Sequence, residues 1–355
     1  LWLSAAVGAV AGVASWLVHT RSGVKDPFFD AYYYWRMAQG QRTWAPFGYR
    51  ILAPGVVRAM PLGTDVGFVV VTAVAIAVLA GVSYAWLSRH VPPVRAVAGV
   101  AILCSSTAVL GSLRVPYGTD VTMLALIAIC AWAADQDRWL AFTLAAVAAV
   151  LTREAAVVLT LVPLAAFVRE RDRRALVAVV APALGLLAVQ DLVQVYPRPL
   201  QQPSEVFGYL SRHYGGISSA VVVAVAMSFG AAWLLVPMAW SRLDATSKSW
   251  ALVAVGSIPL LLIATAWGRL MAPGFVLVAI AAVRAPVRTW GLYGVAFLIA
   301  VTSFAPDNLP LAASTLVLGV GVVLVARTPL RDRDPRSHAT SAPPQHQIES
   351  PSPTG

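Results

Sequence analysis

From Leu1 to Ala326 the chain alternates long apolar runs with short polar breaks, and that alternation limits what it can fold into. About 20 apolar residues in a helix cross about 30 Å of hydrocarbon. Apolar runs lie at 1–18, 65–88, 96–113, 119–134, 139–152, 154–168, 175–193, 217–240, 250–266, 271–283, 289–304 and 310–326. Charged residues make up 12% of the chain and hydrophobic residues 59%, whereas soluble domains carry roughly a quarter charged residues. A soluble enzyme is excluded. The predicted fold is all-α, a polytopic transmembrane bundle of about 12 membrane segments, with a range of 10–13.

Residues 1–326 form the predicted transmembrane domain, with outer loops 19–64 and 194–216. Residues 327–355, rich in Pro, Ser and charge with no apolar period, read as a disordered cytoplasmic tail. The first run has no basic stretch ahead of it and reads as a retained span rather than a cleaved signal. The runs 139–152 and 154–168 are short and suggest a hairpin with "TREA" at its tip. Such half-length helices persist in a bilayer when protein or a watery cavity covers their ends. Cys104 and Cys130 lie inside apolar runs and read as core, without metal or disulfide spacing. Gly8 and Gly12 form a GxxxG spacing that implies close packing.

The net charge is +10, but the arginines are scattered between apolar runs rather than gathered on one face, so nucleic acid is not the partner. They report orientation instead. If the first span exits outward, Arg89, Arg95, Arg138, Arg169, Arg171, Arg173, Arg174, Arg242, Lys248, Arg284, Arg288, Arg327, Arg331, Arg333 and Arg336 fall inside. These are fifteen of the 26 basic residues. The predicted location is the inner (plasma) membrane, multi-pass, with the active face extracytoplasmic.

The outer charges then carry the chemical information. The stretch "FFDAYYYWRMAQGQRTWAPFGYRILAP" (28–54) joins Asp30, Arg36 and Arg50 to a run of rings. Asp120 opens the fourth run in "RVPYGTD", Arg153 and Glu154 sit at the hairpin tip, and Arg269 lies at a helix end. A guanidinium there costs several kcal/mol unless it is paired; Glu154 beside Arg153 is one candidate partner, and a phosphate is another, since the planar fork of arginine matches its oxygens. Rings such as Tyr32, Tyr33, Tyr34, Trp35 and Trp44 offer stacking faces for sugar or lipid. Asp30 also suits a helix N-cap, the rings suit an interfacial aromatic belt, and Arg36 and Arg50 could snorkel to headgroups. His19 and His213 read as loop-borne, with no second ligand at metal spacing.

An acid in the first large outer loop, with polar residues at the outer ends of later spans, resembles the GT-C superfamily of membrane glycosyltransferases. "FDAYYYWRMAQG", "APFGYRILAP", "LTREA" and "WGRLMAP" are similar to bacterial members of that type. The resemblance implies transfer of a sugar from a polyprenyl-phosphate donor to an extracytoplasmic glycan or lipid acceptor, among membrane lipids. It places the catalytic base on Asp30 and phosphate or pyrophosphate contacts on arginines such as Arg153 and Arg269; Tyr33, Arg36, Arg50, Asp120 and Glu154 are the further substrate-binding candidates. The paired acids that some members carry are absent, since Asp30 is followed by Ala31; no definite cofactor is implied, and a divalent metal stays open. Two other classes fit the same outline: a transporter or flippase of lipid-linked saccharides, and an acyl or polymer transferase. The enzyme reading requires Asp30, Asp120, Glu154, Arg153 and Arg269 to meet around one outward-facing cavity.

Overall fold

The computed structural model describes residues 2–22, 27, 30–197, 202–262, 267–304 and 308–327. Every apolar run is helical over most of its length, and no strand forms among the described residues. The predicted tail beyond 327 lies outside the described residues. The chain opens with α1 (Trp2–Ser22), then α2 (Asp30–Ala38), a 3-10 turn at Phe47–Tyr49 and α3 (Leu52–Ala59). Pro46 precedes that turn and Pro54 sits in the first turn of α3, where a fixed φ costs nothing. Next come α4 (Thr64–Leu87), α5 (Pro93–Cys104), α6 (Thr107–Arg114), α7 (Asp120–Ala134) and α8 (Trp139–Thr152). A 3-10 segment at Glu154–Thr160 leads into α9 (Leu161–Glu170) and α10 (Arg173–Leu192), which packs on both α8 and α9.

The second half holds α11 (Pro203–Tyr214), α12 (Ile217–Ser228), α13 (Leu235–Ala239), α14 (Ala245–Gly256) and α15 (Trp267–Leu270). It closes with α16 (Phe275–Arg284), α17 (Thr289–Phe304) and α18 (Leu309–Ala326). Among the described residues, five helices can by length and composition cross a membrane, or up to seven if each of two bent pairs is one span. Four shorter apolar helices pack among them.

The bends have local causes. Between α5 and α6 the direction changes by 60°: the Ser105 hydroxyl bonds back to Ala101 O, and Ser106 turns extended at ψ 151°. A serine bonded to the carbonyl four residues back bends a helix. The Ser303 hydroxyl donates to Ser105 O at 3.0 Å, so this carbonyl has a partner away from the helix. After α12 the 89° bend falls next to Gly230, whose φ of +50° is left-handed and free of penalty only for glycine.

Small residues let α1 lie against α4. A Cβ on Gly8 would stand 2.7 Å from Ala77 O and 3.4 Å from the Gly81 Cα, both backbone atoms that cannot rotate away. Close backbone approach at small residues is how helices associate in lipid. Gly8→Val should therefore lower stability by about 1–3 kcal/mol, read as a lower melting temperature in detergent. Gly55→Val, with nothing near its Cβ, is the control expected to lack this clash.

The outer girth is greasy. Val10, Leu140, Leu144, Leu184, Leu187 and Val325 are each more than half exposed, while Leu79, Ile102, Ile127, Phe142 and Phe275 fill the centre. Apolar surface on this scale belongs against hydrocarbon, not water. The chain is a membrane protein. Cys130 is buried and Cys104 half-buried, both free thiols in the packing, as expected of core residues.

Helix ends sort into two groups. At one end lie two ion-paired groups, residues 30, 120, 153 and 269 and residues 50 and 154, and Arg114 donates to Phe304 O. At the other end Arg89 pairs with Asp135 at 2.9 Å, Arg284 with Asp244 at 3.0 Å, and the Arg288 amide bonds to Ala326 O. Burial alone would raise the Asp135 carboxyl; His90 and Arg89 outweigh it and hold the group below the usual aspartate range. A depressed folded-state value gives stability that is full above the unfolded pKa, about 3.9, and is lost as pH falls through the folded one. In acid melts, Asp135→Asn should lose less stability than the wild type between about pH 4 and lower values, and the two curves should run parallel above about pH 5.

Two sequence expectations need correction here. His19 is not in a loop; it lies in the last turn of α1 and is buried. His213 is likewise helical, near the end of α11, stacked on Tyr209. The helix of α1 runs on past its apolar residues through His19, Thr20, Arg21 and Ser22, and α11 forms within a loop of mixed composition because Gln202 and Glu205 make a reciprocal cap.

Candidate functional site

Three helix termini set the site. Asp30 is in the first turn of α2 and Asp120 in the first turn of α7, where the helix dipole favours a carboxylate. Arg153 caps the C-terminus of α8 in extended backbone, φ −161° and ψ 123°, where a cation is favoured. That extended residue breaks the chain between α8 and the following 3-10 segment, so Arg153 and Glu154 project different ways. The pairing of Arg153 with its neighbour Glu154 is therefore corrected: Arg153 pairs with Asp120 Oδ1.

The remaining contacts form two clusters that adjoin through the chain at Arg153 and Glu154: Asp30, Asp120, Arg153 and Arg269 in one, Arg50, Glu154 and Tyr34 in the other. Arg269 Nε donates to Asp120 Oδ2 at 2.6 Å, and its Nη1 reaches Asp30 Oδ2 at 3.3 Å. Arg50 grips Glu154 through two bonds, Nε to Oε2 at 2.8 Å and Nη2 to Oε1 at 2.5 Å. Its Nη1 donates to the Tyr34 hydroxyl, also at 2.5 Å. Arg50 is thus buried in the protein and does not snorkel to lipid. Burial by itself would lower the Arg50 pKa; Tyr34 and Glu154 outweigh it and hold the guanidinium above its ordinary value, so it stays charged.

Exposure grades across the network. The side chains of Arg153, Arg50 and Asp120 are 5%, 7% and 9% exposed, whereas those of Arg269, Glu154 and Asp30 are 28%, 30% and 34% exposed. One layer is sealed, and the other opens to the surface. Three carboxylates face three guanidinia, so the cluster is electrically balanced; an incoming anion must compete with a carboxylate for its arginine.

Tyr33 stands one step away, stacked on Phe47 with centroids 4.8 Å apart and planes 9° apart, and Phe47 in turn lies under Arg50. Arg36 is not in the network. It bonds Gln41 at 2.5 Å and sits over Tyr32. Sequence reasoning had grouped Tyr34 with its neighbours as a stacking ring; it is instead fully buried and polar-bonded. The i, i+3 spacing of Ala31 and Tyr34, followed by Ala38, marks the inner face of α2 and could have singled it out. Asp65 ties α2 and the segment before α7 to the start of α4, accepting from Trp35 Nε1 at 3.0 Å and the Tyr117 hydroxyl at 2.8 Å.

The loop after α10 is tied to the segment between α2 and the 3-10 turn at Phe47–Tyr49. Tyr196 bridges Trp44, with Ala45 N to Tyr196 O at 3.0 Å, and α11 packs through Val206 and Leu210 onto Leu270, beside Arg269. Between these loops lies a cavity of about 330 Å³ bordered by Met37, Arg42, Ile51, Arg58 and Gln194. A larger one, about 650 Å³, is at the opposite end of the bundle, away from the network. Among the described residues no group of three or more His, Cys, Asp or Glu is placed to hold a metal ion, and each network carboxylate already faces a guanidinium.

In comparisons with known proteins, no family model matches the chain, and no curated protein or solved structure matches it either.

Proposed function

We propose that this protein is a membrane glycosyltransferase of the GT-C type, with about twelve membrane segments, moving a sugar from a polyprenyl-phosphate donor to an extracytoplasmic glycan or lipid in the inner membrane. The observation that carries the reading is the meeting of Asp30, Asp120, Arg153 and Arg269 from four distant parts of the chain at one end of an apolar bundle, with Asp30 on the open side. A buried ion pair is a poor device for stability alone, and polar clusters in a membrane bundle mark function.

The donor phosphate would draw Arg269 from Asp30, whose contact is the longest in the network. The freed carboxylate accepts the proton of the acceptor hydroxyl while that oxygen bonds to the anomeric carbon. The bond from that carbon to the phosphate oxygen breaks, and polyprenyl phosphate leaves with the electron pair, its charge met by arginine. Tyr33 and Phe47 offer a stacked face for a sugar ring or isoprenoid. The 330 Å³ cavity by Arg42 and Arg58 suits the acceptor.

Purified protein incubated with radiolabelled polyprenyl-phosphate sugars and an envelope acceptor fraction should transfer label to the acceptor. No transfer with any donor tried would remove the reading. The orientation has its own check: single cysteines placed at Arg171, between α9 and α10, and at Tyr209, on α11, should react with an impermeant reagent from opposite sides of the membrane. Labelling from the same side would refute it.

A further inference from the structure

At the end of the bundle opposite the network, the 650 Å³ cavity is bordered by His90, Arg95, Arg242, Arg284, Arg288 and Thr289. Four arginines around one space repel one another unless something negative joins them. Only Arg284 has a carboxylate, Asp244 at 3.0 Å. Asp135, the other acid nearby, is taken by Arg89, with His90 Nε2 2.9 Å from its second oxygen. No carboxylate stands within ion-pair distance of Arg95, Arg242 or Arg288 among the described residues.

The negative backbone dipoles at this end are also consumed. Arg95 donates to Val283 O, Ala285 O and, at 2.8 Å, Val287 O, the carbonyls that end α16. Arg284 donates to Arg242 O and to His90 Nδ1. That bond leaves the imidazole proton on Nε2, toward Asp135. What remains facing the space is positive: the exposed Arg288 side chain, the exposed Arg242 side chain, of which Nη1 alone donates to Arg284 O at 3.3 Å, and the first turn of α17 at Thr289, a helix terminus that itself favours anions.

We propose that this cavity is a phosphate-binding site, in which Arg242 and Arg288 hold the phosphate oxygens of a membrane lipid headgroup or of a free phosphorylated compound. Guanidinium forks match phosphate geometry, basic pockets between membrane helices hold anionic headgroups, and the volume lies in the range of ligand sites. This inference stands independently of the reaction at the other end.

The test is binding in two arms, using the full chain in detergent. In the first, native mass spectrometry compares retention of phosphatidylglycerol with phosphatidylcholine. In the second, thermal shift reads titration with inorganic phosphate and glycerol 3-phosphate. Saturable binding in either arm, at least tenfold weaker in Arg242→Gln/Arg288→Gln, supports the site, and the arm that responds names the source. Arg95 is left intact because its bonds to the α16 carbonyls serve the fold. Wild type that shows no saturable preference in either arm, which needs no variant to fold, overturns the proposal. Binding unchanged in a double variant with wild-type melting overturns it as well.

Discussion

Asp30→Asn is expected to abolish most sugar transfer, by a factor on the order of 10²–10⁴, while the protein still inserts and melts normally. Asparagine keeps the size of the side chain and can still accept a hydrogen bond from Arg269 Nη1, now 3.3 Å from Asp30 Oδ2. It cannot take a proton from a hydroxyl. Asp30 is the most exposed acid of the network, so its loss leaves the sealed Asp120 and Arg153 pair in place. The informative comparison is Asp30→Asn beside Arg269→Ala. Loss of transfer in both, with normal abundance, fits a base and a phosphate contact. Full transfer in both would leave Asp30 as nothing more than the start of α2.

Arg153→Met should act on stability instead. Asp120 and Arg153 are almost wholly covered, and removing the cation strands a buried carboxylate, at a cost of about 3–5 kcal/mol. Arg269 would still touch Asp120 Oδ2, so the loss falls toward the lower part of that range. Because two matched apolar groups can replace a buried pair with little penalty, Asp120→Leu/Arg153→Met should recover much of the melting temperature. A double variant as unstable as the sum of the two singles would show that the pair does not interact as drawn.

The helices were legible in the chain because a bilayer tolerates few other patterns: runs such as 65–88, 289–304 and 310–326 match α4, α17 and α18 closely. The breaks inside 96–113 and 217–240 were not. They depend on the bond that the Ser303 hydroxyl, nearly two hundred positions away, donates to Ser105 O, and on the sign of φ at Gly230. The site divides the same way. Its members could be chosen from the sequence, since charge at the end of an apolar run is costly. Their partners could not: Arg153 and Glu154 are adjacent, yet the extended backbone at 153 sends one to Asp120 and the other to Arg50. Tyr34 is hidden among four successive rings, and what tells it from Tyr32 and Tyr33 is its place with Ala31 and Ala38 on the buried face of α2.

The spacing of the network along the chain sets a timetable for biogenesis. Asp120 and Arg153 leave the ribosome close together, and their helices can enter the bilayer as one neutral unit. Arg269 follows Asp120 by 149 positions and Asp30 by 239. Until α15 is synthesised, Asp30 has no cation from that segment. Chains cut short before Arg269 therefore leave Asp30 without its ion-pair partner, and the first acid of the cluster waits 239 positions for the cation that completes it.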